Sequence, residues 1–145
     1  MAMMLPFFNP ELPCLGAILG GLQPGKKLII QGTLTDDRFN INLQFGPEVE
    51  PRDDTALHLS IRPRDGRIVR NTYVGHCWQD EERSGGCPIG VGDSFTLEIR
   101  VKDTHFSIRI NDEKICNFSH RMPAEMVNFI HLSAGATIDA VLESF

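Results

Sequence analysis

With 145 residues, 41% of them hydrophobic and 23% charged, the chain fits one ordinary globular domain over 1–145, long enough to close a core without staples. Its formal net charge of −5 argues against a nucleic-acid partner, because a phosphate-backbone binder carries a basic patch or stripe. The opening MAMMLPFFNPELP is apolar but has no basic leader, and Pro6, Pro10 and Pro13 interrupt any helical run. No apolar segment approaches the roughly 18–20 residues of a spanning helix. The expectation is cytoplasmic residence with no direct membrane insertion. Residues 1–6 are read as flexible, or at their start as part of a dimer edge, and Phe7 and Phe8 as packing in the first strand.

Periodicity along the rest of the chain favours strands. After KKLIIQGTL, the segment RFNINLQFG sends Phe39, Ile41, Leu43 and Phe45 one way and Arg38, Asn40, Asn42 and Gln44 the other. ALHLSIR places Leu57, Leu59 and Ile61 opposite His58, Ser60 and Arg62. Next come a strand offering Val69 and Asn71, and a third offering Glu81 and Arg83 with Trp78 just before it. SFTLEIRV and HFSIRIN align Phe95, Leu97, Ile99 and Val101, then Phe106, Ile108 and Ile110. SHRMPAEMVN holds one short turn with Pro123 near its start. NFIHLSAG and ATIDAVLESF close the chain. Turn signals separate these runs, and Asp65-Gly66 and Asn111-Asp112 have hairpin character. Ten or more short strands, each dry on one side, predict an all-β protein: two antiparallel sheets packed face to face.

Cys14, Cys77, Cys87 and Cys116 are scattered with no C-x-x-C pair. Structural zinc wants clustered thiols and imidazoles, so His76 beside Cys77 is too little for a metal site. Free thiols in a reducing compartment are expected. His105, His120 and His131 read as ordinary surface or strand histidines.

The lone tryptophan poses the functional question, because Trp78 stands in the charged run GHCWQDEERSGG. Side chains at i and i+2 share a strand face, so His58, Ser60 and Arg62 form one polar row and Glu81 with Arg83 another. Short connections set such rows about 4.8 Å apart. Arg62 and Arg83 are fixed donors, Glu81 accepts and holds guanidiniums in place, and His58 and Asn71 add directed bonds. Trp78 adds a flat apolar plate. A pyranose, with C–H groups on one face and hydroxyls at its rim, matches that chemistry. Galactose fits best, because its axial 4-hydroxyl leaves a continuous C–H patch on the opposite face.

HLSIR, VRN and WQDEER resemble the H-x-N-x-R, V-x-N and W-x-x-E-x-R pattern of the galectin carbohydrate-recognition domain. Upstream, GGLQPGKKLIIQGTLTDDRFNINLQFG is similar to the family's first strands; downstream, GCPIGVGDSFTLEIRV and FSIRINDEKICNFSHR are similar to its back sheet. The resemblance covers Phe7 to Phe145 and implies a jelly-roll sandwich of concanavalin-like type with β-galactosides, of lactose or N-acetyllactosamine type, on the concave sheet. It implies His58 and Arg62 on the galactose 4-hydroxyl, Asn71 and Glu81 on the 6-hydroxyl, and Trp78 beneath the ring. Arg83 would support Glu81 and touch the next sugar, while Val69 serves packing. Ser60 departs from the pattern, replacing an asparagine that helps bind the 4-hydroxyl. That departure supports an alternative: a galectin-fold interaction protein with altered or lost glycan specificity. Arg38, Asn40 and Asn42 would extend the groove if their strand flanks His58. The resemblance implies no cofactor and no metal. It implies galactose-containing glycans and glycoproteins as partners, a homodimer as an association open to the fold, and export without a signal peptide as compatible with the sequence.

Two catalytic readings are weaker. Asp80, Glu81 and Glu82 do not offer two carboxylates flanking one bond as glycosidases require, and arginines beside Glu81 keep it ionised and a poor acid. Ser60 with His58 lacks an orienting acid and a nucleophile turn. A non-enzymatic protein is expected.

Overall fold

The computed structural model describes residues 2–145. Thirteen strands follow one another, joined by turns and two short 3-10 segments, Pro63–Asp65 and Ala124–Met126. They are β1 (Met3–Met4), β2 (Phe7–Phe8), β3 (Cys14–Ala17), β4 (Lys27–Leu34), β5 (Phe39–Gln44), β6 (Thr55–Arg62) and β7 (Arg67–Val74). Then come β8 (Cys77–Trp78), β9 (Ser94–Val101), β10 (His105–Ile110), β11 (Glu113–Ser119), β12 (Phe129–Leu132) and β13 (Ala136–Ser144). One sheet has the order β1-β3-β12-β5-β6-β7-β8, the other β11-β10-β9-β4-β13-β2. Every pair is antiparallel except β1 with β3.

Alternation explains the sandwich. In β4 and β9 every second residue is buried and those between are not, as expected of strands with one wet face. Leu28, Ile30, Leu97, Ile99, Phe106 and Ile108 from one sheet meet Phe39, Ile41, Leu43, Leu57, Leu59 and Ile61 from the other, all fully buried. The Asn111-Asp112 turn has both residues at positive φ (51° and 67°), the primed geometry that suits a two-residue hairpin. Between β6 and β7, Gly66 sits at φ 67° and closes the 3-10 turn onto the Pro63 carbonyl at 3.1 Å, a left-handed position that glycine adopts without a Cβ clash.

Two expectations are corrected, for Phe8 and for the strand carrying Glu81 and Arg83. Phe7 is buried but Phe8 is 62% exposed, because neighbours on a strand point to opposite faces. The first residues, expected to be flexible or part of a dimer edge, include Met3–Met4, which pairs in parallel with β3 as the edge strand of its sheet; Met1 lies outside the described residues. Glu81 and Arg83 do not lie on a regular third strand: β8 ends at Trp78, and the chain rejoins β7 only through an isolated bridge between Arg70 and Glu82.

Candidate functional site

β5, β6, β7 and β8 stand side by side, and their register aligns the polar row. Asn42 is opposite His58, His58 opposite Asn71, Asn40 opposite Ser60, and Ser60 opposite Val69. At the edge, Trp78 pairs with Tyr73 while Glu82 bridges Arg70. The pairing slips by one residue between those two points, which is the effect of a bulge. The slip matters because strand side chains alternate with period two. Trp78 and Glu81 are an odd number of residues apart, so an unbroken strand would put them on opposite faces. The bulge lets both address the face that carries His58 and Asn71.

A recess of about 430 Å³ opens there, lined by Arg38, Asn40, His58, Arg62, Asn71, Trp78, Gln79 and Glu81. Trp78 is 48% exposed and wedged between two rings, His58 at 4.5 Å and Tyr73 at 4.8 Å between centroids. Both contacts are tilted, the kind of packing aromatic rings favour over face-to-face stacking.

Each polar side chain is held by one part and leaves another part available. His58 Nδ1 lies 2.6 Å from Asn42 Oδ1; assigned as the donor there, it leaves Nε2 as an acceptor. Burial lowers the His58 pKa to about 4, helped by the nearby Arg52 and Arg62 charges, so the ring is neutral at pH 7. Arg62 Nε donates to Ser60 Oγ at 3.0 Å, leaving its two terminal nitrogens as donors. Arg83 donates through Nε and Nη2 to the same Glu81 oxygen, and the other Glu81 oxygen can accept. Asn71 Nδ2 donates one hydrogen to the Gln79 carbonyl at 2.9 Å, and its second hydrogen remains.

Two residues predicted for the site are buried and absent from the recess lining. Asn42, expected to extend the groove, is 1% exposed, flanked by His58 on β6 and His131 on β12. Ser60 is fully buried, and its short side chain reaches Arg62 rather than the recess. Arg38 and Asn40 do line the recess.

Three residues were missed. Tyr73 buttresses Trp78; its place two residues after Asn71, on the same face, was a usable signal. Arg52, in the connection from β5 to β6, depresses the His58 pKa and donates to the Gln44 side chain. Arg121 comes from the segment after β11, in the other sheet. Its guanidinium donates to Asn71 Oδ1 (3.3 Å), Thr72 Oγ1 (3.2 Å), the Asp80 carbonyl (2.8 Å) and Glu82 Oε2 (3.0 Å). No short-range pattern announces a contact made across the two sheets.

His76 and Cys77 are exposed, and among the described residues no group of three His, Cys, Asp or Glu side chains is placed to hold a metal ion.

The family model for galactoside-binding lectins matches residues 13–143. The "32 kDa beta-galactoside-binding lectin" of Haemonchus contortus is 34% identical over 87% of this chain and 44% of its own length. Galectin-4 of Bos taurus is 33% identical over 94% of this chain and 41% of its own. The chain thus spans less than half the length of these curated relatives. Among solved structures, Caenorhabditis elegans galectin LEC-6 superposes with a TM-score of 0.86 at 30% identity, covering 97% of this chain and 96% of that one. A double variant of human galectin-16 also reaches 0.86, at 26% identity over 95% and 99%.

Proposed function

The chain belongs to the galectin family of galactoside-binding lectins, and from that premise we propose that it binds β-galactosides of lactose or N-acetyllactosamine type without catalysing a reaction on them. The observation that carries this reading is the exposed face of Trp78 in a recess ringed by His58, Arg62, Asn71 and Glu81. Each of these polar groups has unused hydrogen-bonding capacity.

In this reading the C–H face of galactose rests on Trp78. The 4-hydroxyl donates to His58 Nε2 and accepts from the terminal nitrogens of Arg62. The 6-hydroxyl accepts from Asn71 Nδ2 and donates to the second oxygen of Glu81. Arg83 fixes Glu81 and borders the next sugar. These assignments give the 4- and 6-hydroxyls one acceptor and one donor each, matching both to their complements. Galactose-bearing glycoproteins are the natural partners. Pairing of two copies through a sheet edge, with β1 and β2 on one side and β8 and β11 on the other, would make the lectin bivalent.

Titration calorimetry with lactose, with sucrose as control, tests the proposal. Lactose alone should bind, and Trp78→Ala should weaken it by about 30-fold, as expected for an aromatic anchor that the ligand covers. Equal heats for lactose and sucrose, or an unchanged affinity in Trp78→Ala, would refute it.

Ser60 supports a second reading. Its hydroxyl is fully buried and accepts from Arg62, so the 4-hydroxyl has one direct partner fewer than the family pattern gives it. Since that hydroxyl separates galactose from glucose, discrimination between the two is relaxed. Tight lactose binding with no measurable affinity for cellobiose would exclude this version.

A further inference from the structure

Beyond Arg62 the same sheet face continues into a second recess of about 310 Å³, lined by Arg62, Asp65, Arg67, Val69 and Arg83. Arg62 lines both recesses. Arg62 and Arg67 are direct partners in the β6–β7 ladder, where like charges repel across the strands. Guanidinium groups do not deprotonate in proteins, so loss of a proton cannot relieve the repulsion. Asp65 is the one acid in the lining.

The donors here are largely uncommitted. Arg67 is exposed, and among the described residues its side chain joins no hydrogen bond or ion pair. Arg62 uses Nε on Ser60 and, with galactose bound, gives one terminal N–H to the 4-hydroxyl, which leaves its remaining N–H groups for this recess. Arg83 uses Nε and Nη2 on Glu81 and keeps Nη1. Arg64 is set apart, its guanidinium 3.5 Å from Asp37. Three arginines around one small recess contrast with a chain whose formal charge is −5.

We propose that this recess receives an anionic group, a sulfate or a carboxylate, carried on the sugar that follows galactose. The inference rests on the galactoside reading, because galactose on Trp78 anchors the next sugar beside Arg62 and Arg83. Planar guanidiniums match the paired oxygens of either anion. A neutral sugar can use the same donors, but only an anion also offsets the Arg62–Arg67 repulsion.

Calorimetry on the full chain tests this with three disaccharides: N-acetyllactosamine, its form sulfated on the 6-oxygen of the N-acetylglucosamine, and galactose linked to glucuronic acid. At low salt at least one anionic ligand should bind about fivefold tighter than the neutral one, the gain of a well-placed exposed charge pair. The gain should shrink at high salt, and in Arg67→Gln the anionic-to-neutral affinity ratio should fall to about one. The sulfated and carboxylated arms identify which anion is preferred. Binding of all three with equal affinity, or a preference that survives in Arg67→Gln, would overturn this inference alone. Binding of none would remove the galactoside reading and this inference with it.

Discussion

Ser60 and His58 show how single side chains set the character of this site. A serine hydroxyl at position 60 reaches Arg62 and stops there; an asparagine amide is longer and can reach the ligand. Ser60→Asn should therefore tighten lactose binding by about 2- to 12-fold, the range of one recovered hydrogen bond, and sharpen the preference for lactose over cellobiose. Parallel titrations of both sugars check it; unchanged affinity and unchanged preference would contradict it. His58 makes a pH prediction. Its folded pKa of about 4 lies below the ordinary value of about 6.5. The unfolded chain therefore takes up the proton first. The stability contributed by neutral His58 is fully present above about pH 6.5 and is lost as the pH falls from there towards the folded value. Comparing urea midpoints at neutral and acidic pH in wild type and His58→Gln isolates this effect: the acid-induced loss should be smaller in the variant. Lactose affinity should stay level from neutral pH to about 5 and fall near 4, where Nε2 stops accepting.

At the scale of the element, the β7–β8 edge decides whether the site exists. The bulge after Trp78 turns an odd spacing into a shared face, and Arg121 ties the irregular segment down from the opposite sheet. Arg121→Gln should weaken lactose binding by about tenfold, the worth of a charged hydrogen bond. It should also move the emission maximum of Trp78, the chain's only tryptophan. Normal emission together with normal affinity would show that the contact is incidental. What the sequence disclosed follows the same division. Strands with strict alternation, such as those carrying Phe39, Leu57 and Phe95, were legible because burial on one face enforces period two. The polar rows were legible for the same reason. The bulge was signalled only by the odd Trp78–Glu81 spacing. Alternation alone cannot separate a polar side chain that lines the recess from one that braces its neighbour, so it puts Asn42 and Ser60 in the polar row although both are buried against His58 and Arg62. Arg121 was illegible because its partners are set by the packing of two sheets.

For the whole molecule, the sandwich is the rigid body that holds these groups in register. Its core is fully dry at Phe106 and Ile99, far in sequence from the residues that line the Trp78 recess. Phe106→Ala should destabilise the fold by about 3–5 kcal/mol, read as a lower urea midpoint, while the remaining folded protein binds lactose normally. A loss of affinity without a loss of stability would mean that the core tunes the site directly. Lactose is neutral, so its affinity should vary little with salt, in contrast to the anionic ligands proposed for the arginine recess. Everything proposed for the sugar depends on how galactose lies on Trp78, which a crystal structure of the lactose complex would reveal. The galactose C–H face should lie on the indole, its 4-hydroxyl between His58 Nε2 and Arg62, and its 6-hydroxyl between Asn71 and Glu81. A lactose seated elsewhere, or one with the 4-hydroxyl turned away from His58 and Arg62, would contradict it.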